Sequence, residues 1–226
     1  MELMFDNANI ETLKEYTSIY PYAGVTCNPT ILKQEGKIDF FNHFKEIREM
    51  IGFKHSLHVQ VVSLKAEEII EEAKKIAEKI DQDVYIKIPV TEEGLKAIKI
   101  LKEKGYKITA TAIYSKLQGL LAIAAGADYI APYYNRIAHL GQNPCDVISV
   151  FRKDIDFSHA KTKILAASFH TSEQVTMAIA AGADAVTLNP KLLKDMFNAD
   201  FIDNALIKFA KDWEESQGCK NILDCE

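Results

Sequence analysis

Residues 56–90 read SLHVQVVSLKAEEIIEEAKKIAEKIDQDVYIKIPV, and the hydrophobic period changes twice inside that stretch. Ser56–Val62 is rich in β-branched residues and predicts a strand. Ala66, Ile69, Ile70, Ala73, Ile76, Ala77 and Ile80 then share one side of a helix, with acids and lysines on the other. Val84–Ile88 returns to a short, almost wholly apolar run. The stretch is one strand–helix–strand unit.

Working outward, the same alternation covers the chain. Further strands are expected at Glu2–Asp6, Ala23–Asn28, Lys107–Ala112, Asp128–Pro132, Lys163–Ser168 and Asp184–Leu188. Thr171 and Gln174 have the spacing of a capping box. Phe201, Ile202, Ala205, Leu206, Phe209 and Trp213 are expected to give the last helix a buried side. The heptapeptide Ala122-Ile-Ala-Ala-Gly-Ala-Asp128 recurs as Ala178-Ile-Ala-Ala-Gly-Ala-Asp184, each copy with the chemistry of a helix end followed by a strand. Eight such units at roughly 28 residues each fit a (β/α)8 barrel. An open doubly wound sheet would usually show a Gly-rich turn after its first strand, and Phe5-Asp-Asn-Ala8 has none. The expectation is therefore an α/β, single-domain (β/α)8 TIM barrel over residues 1–226, with 200–226 as C-terminal helix and tail.

Composition bounds the function. The chain has 226 residues, 48% of them hydrophobic and 26% charged, which excludes disordered and low-complexity readings. Lys plus Arg is 27 against 32 Asp plus Glu, for a net charge of -5, so neither nucleic acid nor an anionic membrane is expected as partner. The opening Met-Glu-Leu-Met-Phe-Asp has no basic segment, and no apolar run reaches membrane-helix length, so neither a leader nor a span is expected. Cysteines at 27, 145, 219 and 225 form no CxxC pair and read as reduced thiols of a cytoplasmic protein.

In a barrel, chemistry gathers at the C-terminal ends of the strands. Those ends carry Asp6, Asn28, Gln60, Lys87, Thr111, Tyr133 and Ser168, with Asn135 and Arg136 just beyond the sixth. Pro29, Pro89, Pro132 and Pro190 sit where strands stop. Lys87 is the sharpest signal. A parallel barrel has no edge at which Val84-Tyr-Ile-Lys-Ile-Pro-Val90 would tolerate a lysine for solvation alone. Burial works against the charged form of an amine, and a free amine attacks a carbonyl to form an imine. A lysine paired with Asp6 as a mere charge is the competing reading. Imine chemistry needs proton transfer, for which Tyr133 offers a phenol, and Thr111 and Gln60 have the parity to hold a water. Asp6 and Asn28 suit sugar hydroxyls. Arg136 and Ser168 suit a phosphate near the last strands.

Gly24-Val-Thr-Cys-Asn-Pro29, Ile86-Lys-Ile-Pro-Val-Thr-Glu-Glu-Gly-Leu95, Ala131-Pro-Tyr-Tyr-Asn-Arg136 and Leu165-Ala-Ala-Ser168 resemble the small transaldolases and fructose-6-phosphate aldolases over essentially the whole chain. The resemblance implies a (β/α)8 barrel and class I Schiff-base chemistry with no cofactor and no metal. It also implies a homo-oligomer, a decamer of two pentamers, in which the C-terminal helix reaches a neighbour. It gives Lys87 the imine, with Asp6 and Asn28 contacting it and the substrate hydroxyls. Thr111 and Gln60 then hold the catalytic water, Tyr133 is the acid/base, and Arg136 with Ser168 takes the phosphate. Transaldolases of the family resemble one another in carrying Glu and Phe where this chain has Gln60 and Tyr133, which favours the aldolase subgroup. Cys27 stands where Thr is usual, and its outward parity points to packing.

Reversible cleavage of fructose 6-phosphate to dihydroxyacetone and glyceraldehyde 3-phosphate is the expected activity. Transaldolase is its near alternative. A non-catalytic sugar-phosphate-binding barrel is a distant one, which leaves an amine inside the barrel unexplained. The histidines at 43, 55, 58, 139, 159 and 170 show no HxH or HExxH spacing for a metal-dependent aldolase.

Overall fold

The repeated heptapeptide is a structural joint. Gly126 and Gly182 have φ of 81° and 109° just after the helices Lys116–Ala124 and Ser172–Ala180, where a left-handed residue ends a helix. The aspartate two residues on then ties the new strand into the sheet. Asp128 Oδ2 accepts from Ile108 N at 2.7 Å and from Lys102 Nζ at 2.6 Å. Asp184 accepts from Ile164 N at 2.8 Å and from Arg152 Nη1 at 3.0 Å. Each carboxylate thus takes one backbone N–H of a neighbouring strand and one cation of a neighbouring helix. The repeat needs no ligand to account for it.

The computed structural model describes residues 1–197 and 200–225. Eight parallel strands close into a barrel in sequence order, β1 pairing with both β2 and β8. They are β1 Glu2–Asp6, β2 Gly24–Thr26, β3 Ser56–Gln60, β4 Tyr85–Pro89, β5 Lys107–Ile113, β6 Tyr129–Pro132, β7 Lys163–Ala166 and β8 Ala185–Leu188. Helices α1 Ile10–Ile19, α2 Pro29–Leu32, α3 Phe40–Ile51, α4 Ala66–Lys79, α5 Glu92–Glu103, α6 Lys116–Ala124, α7 Tyr134–His139, α8 Pro144–Ser158 and α9 Ser172–Ala180 connect them. Polar caps start many of these helices: Asn9, Asn28, Asp39, Thr91, Ser115, Asn143 and Thr171 each accept from a first-turn N–H. The barrel lies within Met1–Pro190, and Lys191–Glu226 forms a second unit.

Alternation along the strands makes two cores. Met4, Tyr129, Leu165 and Ala185 cluster with the half-buried Tyr85. The alternate positions Phe5, Val25, Leu57, Ile86, Ile88 and Ile108 are fully buried, as are Ile47, Ala73, Ile98, Leu101 and Phe151 of the helices. Gly94 in the first turn of α5 allows that helix to meet β4, because a Cβ there would lie 2.0 Å from the Pro89 carbonyl oxygen. In β5 the register slips between Ala110 and Ile113, and Ala112 takes a left-handed φ of 55°. The strand spends one residue more than β6 across this bulge.

Several local expectations are corrected. The second strand stops at Thr26, because Asn28 leaves the sheet to cap α2 through Thr30 N and Ile31 N. The seventh stops at Ala166, and Ser168 has a left-handed φ of 66°. Cys219 and Cys225, expected as reduced thiols, form a disulfide, since the 3-10 turn Ile222–Asp224 brings their Cα atoms to 6.1 Å. In the second unit, α10 Lys191–Phe197 and α11 Asp200–Gln217 follow one another in sequence. No residue of α11 is buried: of its expected buried side Phe201, Leu206 and Phe209 are exposed, and Ile202, Ala205 and Trp213 are half-buried. A period shows that a helix face wants cover, not what supplies it. No helix among the described residues is long and apolar enough to cross a membrane.

Candidate active site

Lys87 lies in the middle of β4 and is 3% exposed. It is a Cα partner of Gln60 on β3 and of Thr109 on β5. No hydrogen bond or ion pair to its amine occurs among the described residues. A buried lysine without a carboxylate is not a structural ion pair. The reading of Lys87 as a mere charge matched to Asp6 therefore loses its basis. Asp6 accepts from the Thr26 hydroxyl at 2.7 Å instead. That hydroxyl also meets the Thr187 hydroxyl at 2.7 Å, so Asp6, Thr26 and Thr187 form a polar chain across β1, β2 and β8.

Polar capacity is left open around the amine. The side-chain Oε1 of Gln60 is buried without a hydrogen-bond partner among the described residues. Such an orphaned acceptor is costly unless a water or ligand meets it. Asn28 commits its side-chain oxygen to the cap of α2, which leaves its NH2 for another acceptor. On the far side, Thr111 is fully buried, and its hydroxyl donates to the Tyr133 phenol oxygen at 3.2 Å. Tyr133 also stands edge-on to Tyr114, with ring centroids 5.6 Å apart. The sequence-predicted pair Thr111 and Tyr133 is thus brought together, while Asp6 is not joined to Lys87.

Beneath the lysine lies a residue that sequence reasoning quoted without assigning. His58 is fully buried between the Thr109 hydroxyl at 2.8 Å and the Ser56 hydroxyl at 3.0 Å, and its ring stacks on Tyr85 with centroids 4.6 Å apart. Burial, then the charges of Lys87 and Arg48, hold its pKa well below the ordinary histidine value. It is a neutral imidazole. Cys27 is buried as well, and burial pushes its thiol up to about 12, so it stays a thiol rather than a competing nucleophile.

Arg136 is exposed on α7, with no ion-pair partner among the described residues. Ser168 follows β7, and its carbonyl accepts from Asn135 N at 3.2 Å and from Asn135 Nδ2 at 2.7 Å. Gln174, expected to complete the capping box, accepts from His170 N at 2.8 Å and pairs with Asn135 instead. An apolar cavity of about 520 Å³ flanks the mouth, with Leu32, Phe40, Phe41 and Ile76 in its wall beside Asn28 and Gln60. Among the described residues, no group of three or more His, Cys, Asp or Glu side chains is placed to hold a metal ion.

The sequence model of the family described as Transaldolase/Fructose-6-phosphate aldolase matches residues 3–220. A probable fructose-6-phosphate aldolase of Streptococcus pneumoniae is 48% identical over 222 residues, covering 98% of this chain and 100% of that protein.

Proposed function

The chain belongs to the transaldolase/fructose-6-phosphate aldolase family, and from that premise we propose that it is a Schiff-base aldolase cleaving fructose 6-phosphate reversibly to dihydroxyacetone and glyceraldehyde 3-phosphate. The observation that carries the reading is a buried lysine amine without a hydrogen-bond or ion-pair partner among the described residues, on a strand between β3 with its orphaned Gln60 side-chain oxygen and β5 with the Thr111 of the Thr111–Tyr133 hydroxyl pair.

The Lys87 amine adds to the C2 carbonyl, and the carbinolamine loses water to give the imine. Removal of the C4 hydroxyl proton breaks the C3–C4 bond. Glyceraldehyde 3-phosphate leaves, and the electron pair stays on Lys87 as the enamine of dihydroxyacetone. Tyr133, with a water held by Thr111 and Gln60, returns a proton to carbon, and hydrolysis of the imine frees dihydroxyacetone and the amine. Asp6 and the Asn28 amide hold the hydroxyls, and Arg136 and Ser168 hold the phosphate. A phenol in place of a phenyl ring gives the enamine a route to its proton without an acceptor sugar, which supports the aldolase over the transaldolase. The exposed Phe201, Leu206 and Phe209 of α11 support a homo-oligomer, for which the family pattern is a decamer of two pentamers. A cytoplasmic location fits a sugar-phosphate substrate.

Borohydride reduction in the presence of fructose 6-phosphate should fix the sugar fragment to the peptide containing Lys87. The variant Lys87→Arg should lose both adduct and cleavage, because a guanidinium stays protonated. Cleavage without any aldose acceptor separates aldolase from transaldolase. An active Lys87→Arg enzyme, or an adduct mapped to another lysine, overturns the proposal.

A further inference from the structure

We propose that Asn135 and Gln174 are positioning residues that set the phosphate seat as a paired-amide clamp, an inference that rests on the assignment of Arg136 and Ser168 to the phosphate. The two side-chain amides face each other with two reciprocal hydrogen bonds. Asn135 Nδ2 donates to Gln174 Oε1 at 3.1 Å, and Gln174 Nε2 donates to Asn135 Oδ1 at 3.1 Å. Each amide then reaches the loop between β7 and α9. Asn135 donates to the Ser168 carbonyl at 2.7 Å from its side chain and at 3.2 Å from its backbone. Gln174 Oε1 accepts from His170 N at 2.8 Å. The loop is gripped on both sides of Phe169.

What the clamp holds is a conformation that Ser168 does not adopt unaided. Its φ of 66° lies in the left-handed region, which a non-glycine residue keeps only when its surroundings impose it. In that conformation the backbone N–H groups of Ser168 and Phe169 donate to no group among the described residues. Successive free N–H groups at a left-handed residue form a concavity suited to an anion. Arg136 immediately follows Asn135 on α7, so the residue that fixes Ser168 also fixes the start of the guanidinium's reach. Asn135 is itself 6% exposed, and its amide is fully occupied inside the protein. It acts through Ser168 and Arg136 rather than on the substrate.

The test compares phosphorylated and unphosphorylated acceptors in the synthetic direction. Dihydroxyacetone is added to glyceraldehyde 3-phosphate and, separately, to glyceraldehyde, with the wild type, Gln174→Met, Asn135→Ala and the double variant. Gln174→Met keeps the side-chain length and is the milder change at a half-buried site, so it decides the matter if Asn135→Ala fails to fold. KM for glyceraldehyde 3-phosphate should rise about tenfold in each single variant, the factor that corresponds to the one hydrogen bond each loses to the loop. Turnover of glyceraldehyde and borohydride trapping of Lys87 by dihydroxyacetone should be unchanged. The double variant should be no worse than the poorer single, because the two residues act as one unit. Equal losses with both acceptors, an unchanged KM for the phosphorylated one, or multiplying effects in the double variant overturn the clamp. A wild type without preference for the phosphorylated acceptor overturns the phosphate seat itself, and the clamp with it, before any variant is made.

Discussion

The Thr111 hydroxyl donates to the Tyr133 phenol oxygen, so the phenol's own proton is left free to be given away. Removing it while keeping the ring isolates that proton. Tyr133→Phe should slow release of free dihydroxyacetone by ~100- to 10,000-fold, the usual span for a lost general acid–base. Borohydride should still trap Lys87, and transfer to an added aldose phosphate should fall less, because the acceptor consumes the enamine directly. Release at the wild-type rate, followed by an enzymatic assay for dihydroxyacetone, would leave Tyr133 only the packing of its ring.

Arg136 should act on phosphate alone. Its guanidinium is exposed and has no carboxylate partner among the described residues. Arg136→Ala should raise KM for fructose 6-phosphate by ~10- to 100-fold, the range of a lost charge-assisted hydrogen bond. Steady-state kinetics with an unphosphorylated donor should show little change, and a matching loss there would refute the role.

His58 should make the protein sensitive to acid. Its folded pKa is depressed, so below the ordinary value of 6.5 the unfolded chain binds a proton that the folded one refuses. Stability is therefore complete above that value and falls as pH drops below it, by up to ~1.4 kcal/mol per pH unit until the folded pKa is reached. Phe would keep the stacking on Tyr85 and carry no proton. His58→Phe should lower Tm at neutral pH, because the Thr109 hydroxyl loses its partner and the Ser56 hydroxyl keeps only its weaker contacts, such as that to the Ala23 carbonyl. The fall in Tm from pH 7 to pH ~5 should be shallower than in the wild type. Equal slopes by calorimetry would show that other groups drive the acid response.

Gly94→Ala should destabilise the barrel without touching a reacting group. The new Cβ would meet a backbone oxygen at the end of the lysine strand, which cannot rotate away. A loss of ~1–3 kcal/mol in chemical denaturation is the expected cost of such overpacking. An unchanged midpoint would mean that α5 slides freely on β4.

The barrel was legible because its signals are local. A change of period within Ser56–Ile88 needs no knowledge of the rest of the chain, and a lysine in an apolar strand stands out without a partner being named. Features that join distant residues left no comparable trace. Asn135 and Gln174 are ordinary polar residues in sequence, and the capping-box spacing even gave Gln174 a different task. Thr26 and Thr187 look like strand formers until the closed sheet places their hydroxyls against each other. The roles proposed for Lys87, Tyr133 and Arg136 rest on chemistry read together with a resemblance, and the geometry adds that Lys87 is buried, that Arg136 is exposed and that Tyr133 meets Thr111. Cys219 and Cys225 carry no pairing motif, and it is a turn that brings them together.

The extra residue in β5 makes length, rather than identity, the sensitive property of that strand. Ala112 is the residue by which β5 outruns β6 between Ala110 and Ile113. Many side chains that tolerate its backbone could occupy the position, with Gly the least strained of them. Deleting it would give β5 and β6 the same count between their pairings, so Ile113 could keep its place opposite Pro132 while the bend at Ala112 is lost. That bend sets the course of the chain just before Tyr114, the edge-on neighbour of Tyr133. A change of length at Ala112 should therefore disturb the segment more than a change of side chain.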